Sequence, residues 1–429
     1  MIADARPRPW TPFQKIGFRL LFTVGGGLMV LSLYGNAGLM YILRPVYTVL
    51  ANLGSLVARG RGVHFQPSNV GDTMAIWCAH LGWILVALVL TAVWTALDRH
   101  RTDYRSLAGL LYQSGRFVLM LSMIIYGMAK VIPTQMGFMA LPAYQLQLTG
   151  DTSPMNVLWG FMGASTPYSV VTGMVELSAG LLLLWRRTWL LGSLLAVIAM
   201  AQVFLLNLFY DVPVKLVAGG LLLVAIGLTS PYWPNLARTA LNLGPTRPVE
   251  LWPAAGAGRR WLRRLAIGAN WVLGVGALIA LTAFGIGAVV GMHSVKSPAD
   301  GIWRATSFTV DGAEAGLQSS PAPWMNIAVS ARGAGYAGMT TQTPSGYVTM
   351  WSLKSDGDQL TIRKRRSDPP TVLTFRTEGP DRLVLTGTVD GHRLEGRYVR
   401  RAMERDAKPG FRLIQPDPDT AAPGGGVGE

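Results

Sequence analysis

Hydrophobic positions in this chain follow two patterns. Through about residue 290 they gather into long, nearly uninterrupted runs, at roughly 20–43, 74–96, 110–131, 167–185, 188–209, 213–230 and 267–291. At 1.5 Å per helical residue, about 20 apolar residues cross the hydrocarbon core of a bilayer, so seven spans are expected. The fifth and sixth runs are joined by almost no loop, which predicts a tight helical hairpin. Beyond residue 299 the pattern switches to alternation. Ile302–Val310, Met325–Ala331, Tyr347–Leu353, Gln359–Lys364, Thr371–Thr377, Arg382–Val389 and Arg393–Arg400 are short runs rich in Val, Leu, Thr and Tyr, and Phe411–Ile414 is a candidate last strand. Between them Asp356-Gly357-Asp358, Gly379-Pro380-Asp381 and Asp390-Gly391-His392 read as turn and hairpin signals. The expected fold class is an α-helical polytopic membrane protein followed by an all-β barrel or sandwich of about seven to eight strands, a closure that removes exposed edges.

The connections differ in character. Residues 44–72 read as an amphipathic external segment followed by a Gly/Pro/Asn-rich loop ending at Asp72. Residues 132–166 form a long stretch with one charge, Asp151, and many apolar and amide side chains. So apolar a loop is expected to re-enter the membrane or lie on its face, capping the bundle. Ser165-Thr166-Pro167 has the form of a helix start, with a hydroxyl N-cap and proline at the first position. The expected divisions are 1–109 (two spans and an external loop), 110–230 (four spans), 231–298 (a basic linker and the seventh span), 299–415 (the β domain) and 416–429, a Pro/Gly/Ala-rich tail expected to be disordered.

Charge then sets orientation. Half of the residues are hydrophobic and 14% are charged, as befits a polytopic protein with a soluble appendage. Arg6, Arg8, Lys15 and Arg19 precede the first run, and Arg99, Arg101 and Arg105 follow the second. Arg186 and Arg187 separate the fourth and fifth, while Arg259, Arg260, Arg263 and Arg264 precede the seventh. Seven spans with the N-terminus in the cytoplasm put all of these on one side, and an odd count sends the β domain outside the cell's inner (cytoplasmic) membrane. The net charge of +15 is thereby assigned to topology and to contact with anionic lipid rather than to nucleic acid. Cys78 is the one cysteine, which excludes internal disulfides, CxxC redox pairs and cysteine-ligated metal clusters. No metal site, P-loop, dinucleotide fingerprint, haem histidine pair or hydrolase triad is visible.

The candidate chemistry lies inside the membrane part. Glu176 sits near the middle of the otherwise uncharged stretch Pro167–Trp185, where an ionised carboxylate is costly without a partner. Asn207, Tyr210, Asp211 and Lys215 mark the junction of the fifth and sixth runs. Lys130 and Gln135 close the third, and His80 lies in the second. On the expected topology these groups are displaced toward the outer face and could line one cavity with Glu176 at its floor, Lys130 or Lys215 supplying the counter-charge. Glu176 and Asp211 are then the candidate proton-exchanging groups. Lys130, Gln135, Asn207, Tyr210, Lys215 and His80 are the candidate ligand-binding ones, suited to a lipophilic molecule with a polar head such as a quinone. Each residue also has a plainer role: an i,i+4 cap for Asp211 and Lys215, a structural ion pair for Glu176, snorkelling for Lys130 and a satisfied core position for His80.

The block from Gly71 to Leu216 resembles the DoxX-like membrane proteins, in particular a longer branch with extra N-terminal spans and a C-terminal β domain. The residues that carry the resemblance are Gly71-Asp72-Thr73, Leu97-Asp98-Arg99, Tyr126-Gly127, Lys130-Val131, Ser153-Pro154-Met155, Phe161-Met162-Gly163, Glu176, Arg186-Arg187-Thr188 and Tyr210-Asp211-Val212-Pro213-Val214-Lys215-Leu216. It implies a four-helix unit within 110–230. The DoxX name comes from a subunit of a thiosulfate:quinone oxidoreductase, and relatives are linked to membrane thiol and oxidative-stress systems. The expectation is therefore a quinone-interacting membrane subunit of a redox system. With no flavin, haem or thiol pair of its own, the chain would depend on a redox partner protein for electrons. A non-enzymatic scaffold or assembly factor presenting the β domain, and a transporter or lipid-handling protein using the Glu176 cavity, are the alternatives.

Overall fold

The computed structural model describes residues 9–68, 71–249, 260–333, 335–365 and 367–403. The candidate strand Phe411–Ile414 and the tail 416–429 lie outside the described residues. Seven helices are long and apolar enough to cross a membrane: Pro12–Leu33 (α1), Met74–Leu97 (α3), Arg105–Val131 (α4), Thr166–Leu184 (α6), Trp189–Phe209 (α7), Lys215–Ala240 and Ile267–His293. The sixth of these is Lys215–Thr229 (α8) continued by Trp233–Ala240 (α9), and the seventh belongs to a longer helix, Arg260–His293 (α10). Two further helices, Arg44–Arg59 (α2) and Pro154–Ala164 (α5), complete the helical set. The chain divides into two compact units. One comprises Met1–Gln135, Ser153–Trp159 and Pro167–Gly287; the other comprises Met136–Thr152, Gly160–Thr166 and Ala288–Glu429.

The helical unit is built on small residues at helix crossings. In α2, a Cβ on Gly54 would lie 2.0 Å from the Cys78 carbonyl oxygen of α3, and one on Gly82 would lie 2.0 Å from the Leu50 carbonyl oxygen. The two backbones thus touch in antiparallel register, a contact open only to glycine. Residues 44–59 form an amphipathic helix packed on α3, with Tyr47, Leu50, Ala51 and Phe65 in a shared core. The chain enters this helix through Gly38, whose φ of 111° breaks the first helical run. The central core lies among α4, α6, α7 and α8 and is formed by Leu119, Met123, Ile124, Ala179, Leu183, Ala196, Met200, Leu221, Ala225 and Leu228.

In the second unit, strands β1 (Gly301–Val310), β2 (Ala313–Glu314), β3 (Asn326–Ser330), β4 (Gly338–Gln342), β5 (Val348–Asp356), β6 (Gln359–Arg363), β7 (Thr371–Thr377), β8 (Arg382–Val389) and β9 (His392–Arg400) make one antiparallel sheet. Pairing of β1 with both β3 and β9 closes eight of them into an up-and-down barrel, β2 being a two-residue extension of the β1 hairpin. Two turns, Asp311-Gly312 and Asp390-Gly391, hold both residues at positive φ, the geometry that a two-residue hairpin linking twisted strands requires. Trp303, Ile327, Met339, Leu360, Leu373, Leu383 and Tyr398 fill the interior, and the buried Tyr398 hydroxyl donates to the Trp324 carbonyl at 3.2 Å.

The apolar loop after α4 belongs to this unit. Its 3-10 turns Gly137–Ala140 and Pro142–Tyr144 lead a strap, Met136–Thr152, onto the outside of β3 and β4. Ala143 donates its N–H to Ser330 Oγ at 2.9 Å, and Thr340 Oγ1 donates back to the Ala143 carbonyl at 2.5 Å. Gln342 Nε2 donates to the Leu146 carbonyl at 3.1 Å, and Leu146 packs in a buried cluster with Ile302 and Ala328. Of the 132–166 stretch, residues 136–152 thus pack on the barrel. Their apolar side chains are covered by the barrel, whose Ser330 and Thr340 would otherwise sit bare on the outer wall. The last turn of α10 is tied to the same barrel. Gly333 donates its N–H to the Gly291 carbonyl, and Arg332 pairs with Asp300 at 2.6 Å.

Candidate functional site

Lys130 and Glu176 face each other across the α4–α6 crossing. Gly173 and Gly180 lie three residues before and four after Glu176, so all three share one helix face. A Cβ on Gly173 would meet Lys130 Cβ at 2.7 Å and the Gly127 carbonyl oxygen at 2.8 Å, while one on Gly127 would meet the Leu177 amide nitrogen at 2.5 Å. Close backbone approach brings the lysine stem over the partner helix, and Lys130 Nζ donates to both carboxylate oxygens, at 2.9 Å to Oε1 and 2.7 Å to Oε2. Both side chains are over nine-tenths buried, so neither charge is screened and each depends on the other. Gln135, in the turn that ends α4, has a buried Oε1 with no hydrogen-bond partner among the described residues.

The hairpin between α7 and α8 is organised separately. Asp211 adopts φ 51° and its exposed carboxylate meets Lys215 Nζ at 2.8 Å, the i,i+4 pair. Behind it lies a residue whose role the sequence alone does not reveal. Asp72 Oδ2 accepts the Lys215 N–H at 2.5 Å and Oδ1 accepts the Leu216 N–H at 3.0 Å, so a carboxylate from the start of α3 caps α8. Gly71 adds an N–H to the Pro213 carbonyl at 2.8 Å. Lys215 Nζ lies 3.9 Å from Asp72 Oδ2, between two carboxylates. Asn207 is buried and its Nδ2 reaches the Val214 carbonyl at 3.5 Å, while Tyr210 follows α7 with its ring exposed.

His80 belongs to a third set. Its Nδ1 lies 2.8 Å from the Ile76 carbonyl, which can only accept, so Nδ1 carries a hydrogen, and Nε2 lies 2.7 Å from the Ser32 hydroxyl. Two further polar groups carry roles absent from the sequence-based set. Arg116, a charge in the middle of the 110–131 run and for that reason detectable, donates to the Leu183 and Leu184 carbonyls at 2.8 and 3.0 Å, capping the end of α6. Arg19 donates to the Tyr104 hydroxyl at 2.8 Å, and Tyr104 donates to Asp98 Oδ2 at 2.9 Å. That last bond holds the Asp98 carboxyl below the usual carboxylate range.

The candidate residues thus fall into three local sets: Lys130 with Glu176, Asp211 with Lys215 and Asp72, and His80 with Ser32. Each set ties two or more chain segments together. Among the described residues no group of three His, Cys, Asp or Glu side chains is placed to hold a metal ion. No protein-family model matches this sequence, and no solved structure matches it. A stretch of 100 residues, 23% of this chain, is 30% identical to the uncharacterized protein YwoB of Bacillus subtilis (strain 168). The chain spans 62% of that relative's length.

Proposed function

We propose that this is a DoxX-like, multi-pass protein of the cytoplasmic membrane whose role is to present a β-barrel outside the cell membrane, as a scaffold for a partner protein. The observation that carries this reading is the double attachment of the barrel. Gly333 and Arg332 donate to the Gly291 and His293 carbonyls at the end of α10, and Ala143 and Leu146 strap the barrel from outside. The barrel interior is filled by Trp303, Tyr398 and aliphatic side chains, so its outer wall and loops are what it offers. The arginine bias of the chain supports an N-terminus in the cytoplasm and a barrel outside.

A photo-crosslinking residue at Tyr347 or Val372, both exposed on the barrel, tests the reading in cells. A discrete protein adduct is expected. Stoichiometric quinone co-extracted with the full-length protein and lost in Glu176→Gln, with no adduct, would replace the scaffold by a redox subunit. That second reading has one observation in its favour. The unpartnered Gln135 Oε1 is an acceptor close in sequence to Lys130 of the Lys130–Glu176 pair, and the hydroxyl of a reduced quinone is a donor that fits it.

A further inference from the structure

Where α8 gives way to polar chain, the polypeptide folds back on itself. Ser230–Tyr232 form a 3-10 turn, α9 follows, and the chain then reverses through Asn242 and Gly244, both at positive φ. Asn235 clips the returning strand by its backbone: Nδ2 donates to the Arg247 carbonyl at 2.7 Å and Oδ1 accepts the Arg247 N–H at 3.0 Å. Both faces of the Asn235 amide are consumed in this clip, so the fold-back is specified rather than incidental. It encloses an open cavity of about 620 Å³ lined by Ser230, Asn235, Arg238 and Arg247 and by the prolines 231, 234 and 248.

The lining is chemically one-sided. Three prolines offer no N–H, Asn235 is spent, and the Ser230 hydroxyl donates to the Gly227 carbonyl. Among the described residues no carboxylate lies within ion-pair distance of Arg238 or Arg247, whereas Lys130, Lys215, Arg332, Arg376 and Arg400 each have one. Two arginines on the lining of one cavity suit an oxyanion that accepts from both. Alongside, α9 exposes Trp233, and Leu241 and Leu243 continue the apolar surface beyond its end. A phosphate attached to acyl chains satisfies both halves of this surface at once.

We propose that this cavity is a binding site for the phosphate of an anionic phospholipid headgroup, held by Arg238 and Arg247, with the acyl chains against α8 and α9. The full-length protein, purified in mild detergent, should retain anionic phospholipid detectable by native mass spectrometry. Offered mixed nanodiscs, it should take up phosphatidylglycerol about tenfold in preference to phosphatidylcholine. The double variant Arg238→Gln/Arg247→Gln should lose that preference at unchanged thermal stability, and Arg238→Lys/Arg247→Lys should recover part of it. Asn235→Ala, which frees the fold-back without touching charge, should weaken retention as well. Equal retention by wild type and the double glutamine variant overturns the site. Competition by millimolar inorganic phosphate equal to that by the lipid overturns the lipid assignment and makes it a site for a soluble phosphate.

Discussion

Lys130 Nζ sits within 2.9 Å of both oxygens of Glu176, and a glycine one turn away on each helix brings the two backbones together beneath the pair. Charge and shape are therefore set by the same crossing. Removing one partner strands the other in a low-dielectric seam at a cost of roughly 3–5 kcal/mol, while replacing both with apolar side chains is close to neutral. Thermal unfolding in detergent should accordingly show Glu176→Leu and Lys130→Met strongly destabilised and Lys130→Met/Glu176→Leu restored toward wild type. A double variant no better than the singles would give the pair a role other than mutual neutralisation.

The Asp72 cap makes a separate prediction. Asp72→Ala should cost about 1 kcal/mol through loss of the N-cap, and Asp72→Asn should cost less because one amide oxygen still accepts. Hydrogen exchange at Lys215 and Leu216 reads the effect directly. Protection there that survives Asp72→Ala would show that α8 is capped by other means.

On the barrel, the strap contributes through Leu146. Leu146→Ala removes a buried side chain that bridges to Ile302 and Ala328, for a loss of roughly 2–5 kcal/mol. Faster exchange confined to 136–152, β3 and β4 is the expected signature in the full-length protein. The isolated segment 299–403 lacks the strap and should expose those positions, giving a less stable barrel than the full chain contains. Equal melting of the two would mean that the strap contributes nothing to the fold.

Beside the β8–β9 turn, Asp311 Oδ2 lies 2.7 Å from His392 Nδ1 and Oδ1 accepts the Arg393 N–H at 2.8 Å. The bond from His392, and then that from Arg393, hold the Asp311 carboxyl below the usual carboxylate range. A folded-state pKa below the unfolded one stabilises the fold above the unfolded pKa, and the contribution disappears as pH falls through the folded value. An NMR titration should place the Asp311 midpoint below that of a free aspartate, and His392→Ala should raise it. An unchanged midpoint in that variant would reassign the shift to the Arg393 N–H.

What is legible in the sequence follows from how far each signal reaches along the chain. The long helices show because some twenty consecutive apolar residues are a local pattern, and most strands show because alternation and Asp-Gly turns are local too. Gly338–Gln342 stays hidden because a five-residue strand with glycine at its start has little alternation to read. The packing of helix α2 on α3 stays hidden because it rests on Gly54 and Gly82, and glycine carries no periodic hydrophobic mark. Lys130 and Glu176 are visible as charges in apolar surroundings, yet their pairing is not, since Lys215 is an equal claimant until Asp211 and Asp72 are found around it. The caps supplied by Asp72 and Arg116 join residues far apart in sequence, which no local pattern encodes.

The strap has a consequence for how the chain is made. It leaves the ribosome well before the strands it clasps, and α6, α7, α8 and α10 are inserted in between. Four crossings return the polypeptide to the strap's own side of the bilayer; three or five would leave strap and barrel on opposite faces. Closure of Leu146 over Ile302 and Ala328 is therefore possible only in a correctly threaded molecule. A mis-threaded one leaves Leu146 on one side and Ile302 with Ala328 on the other, each without its apolar cover.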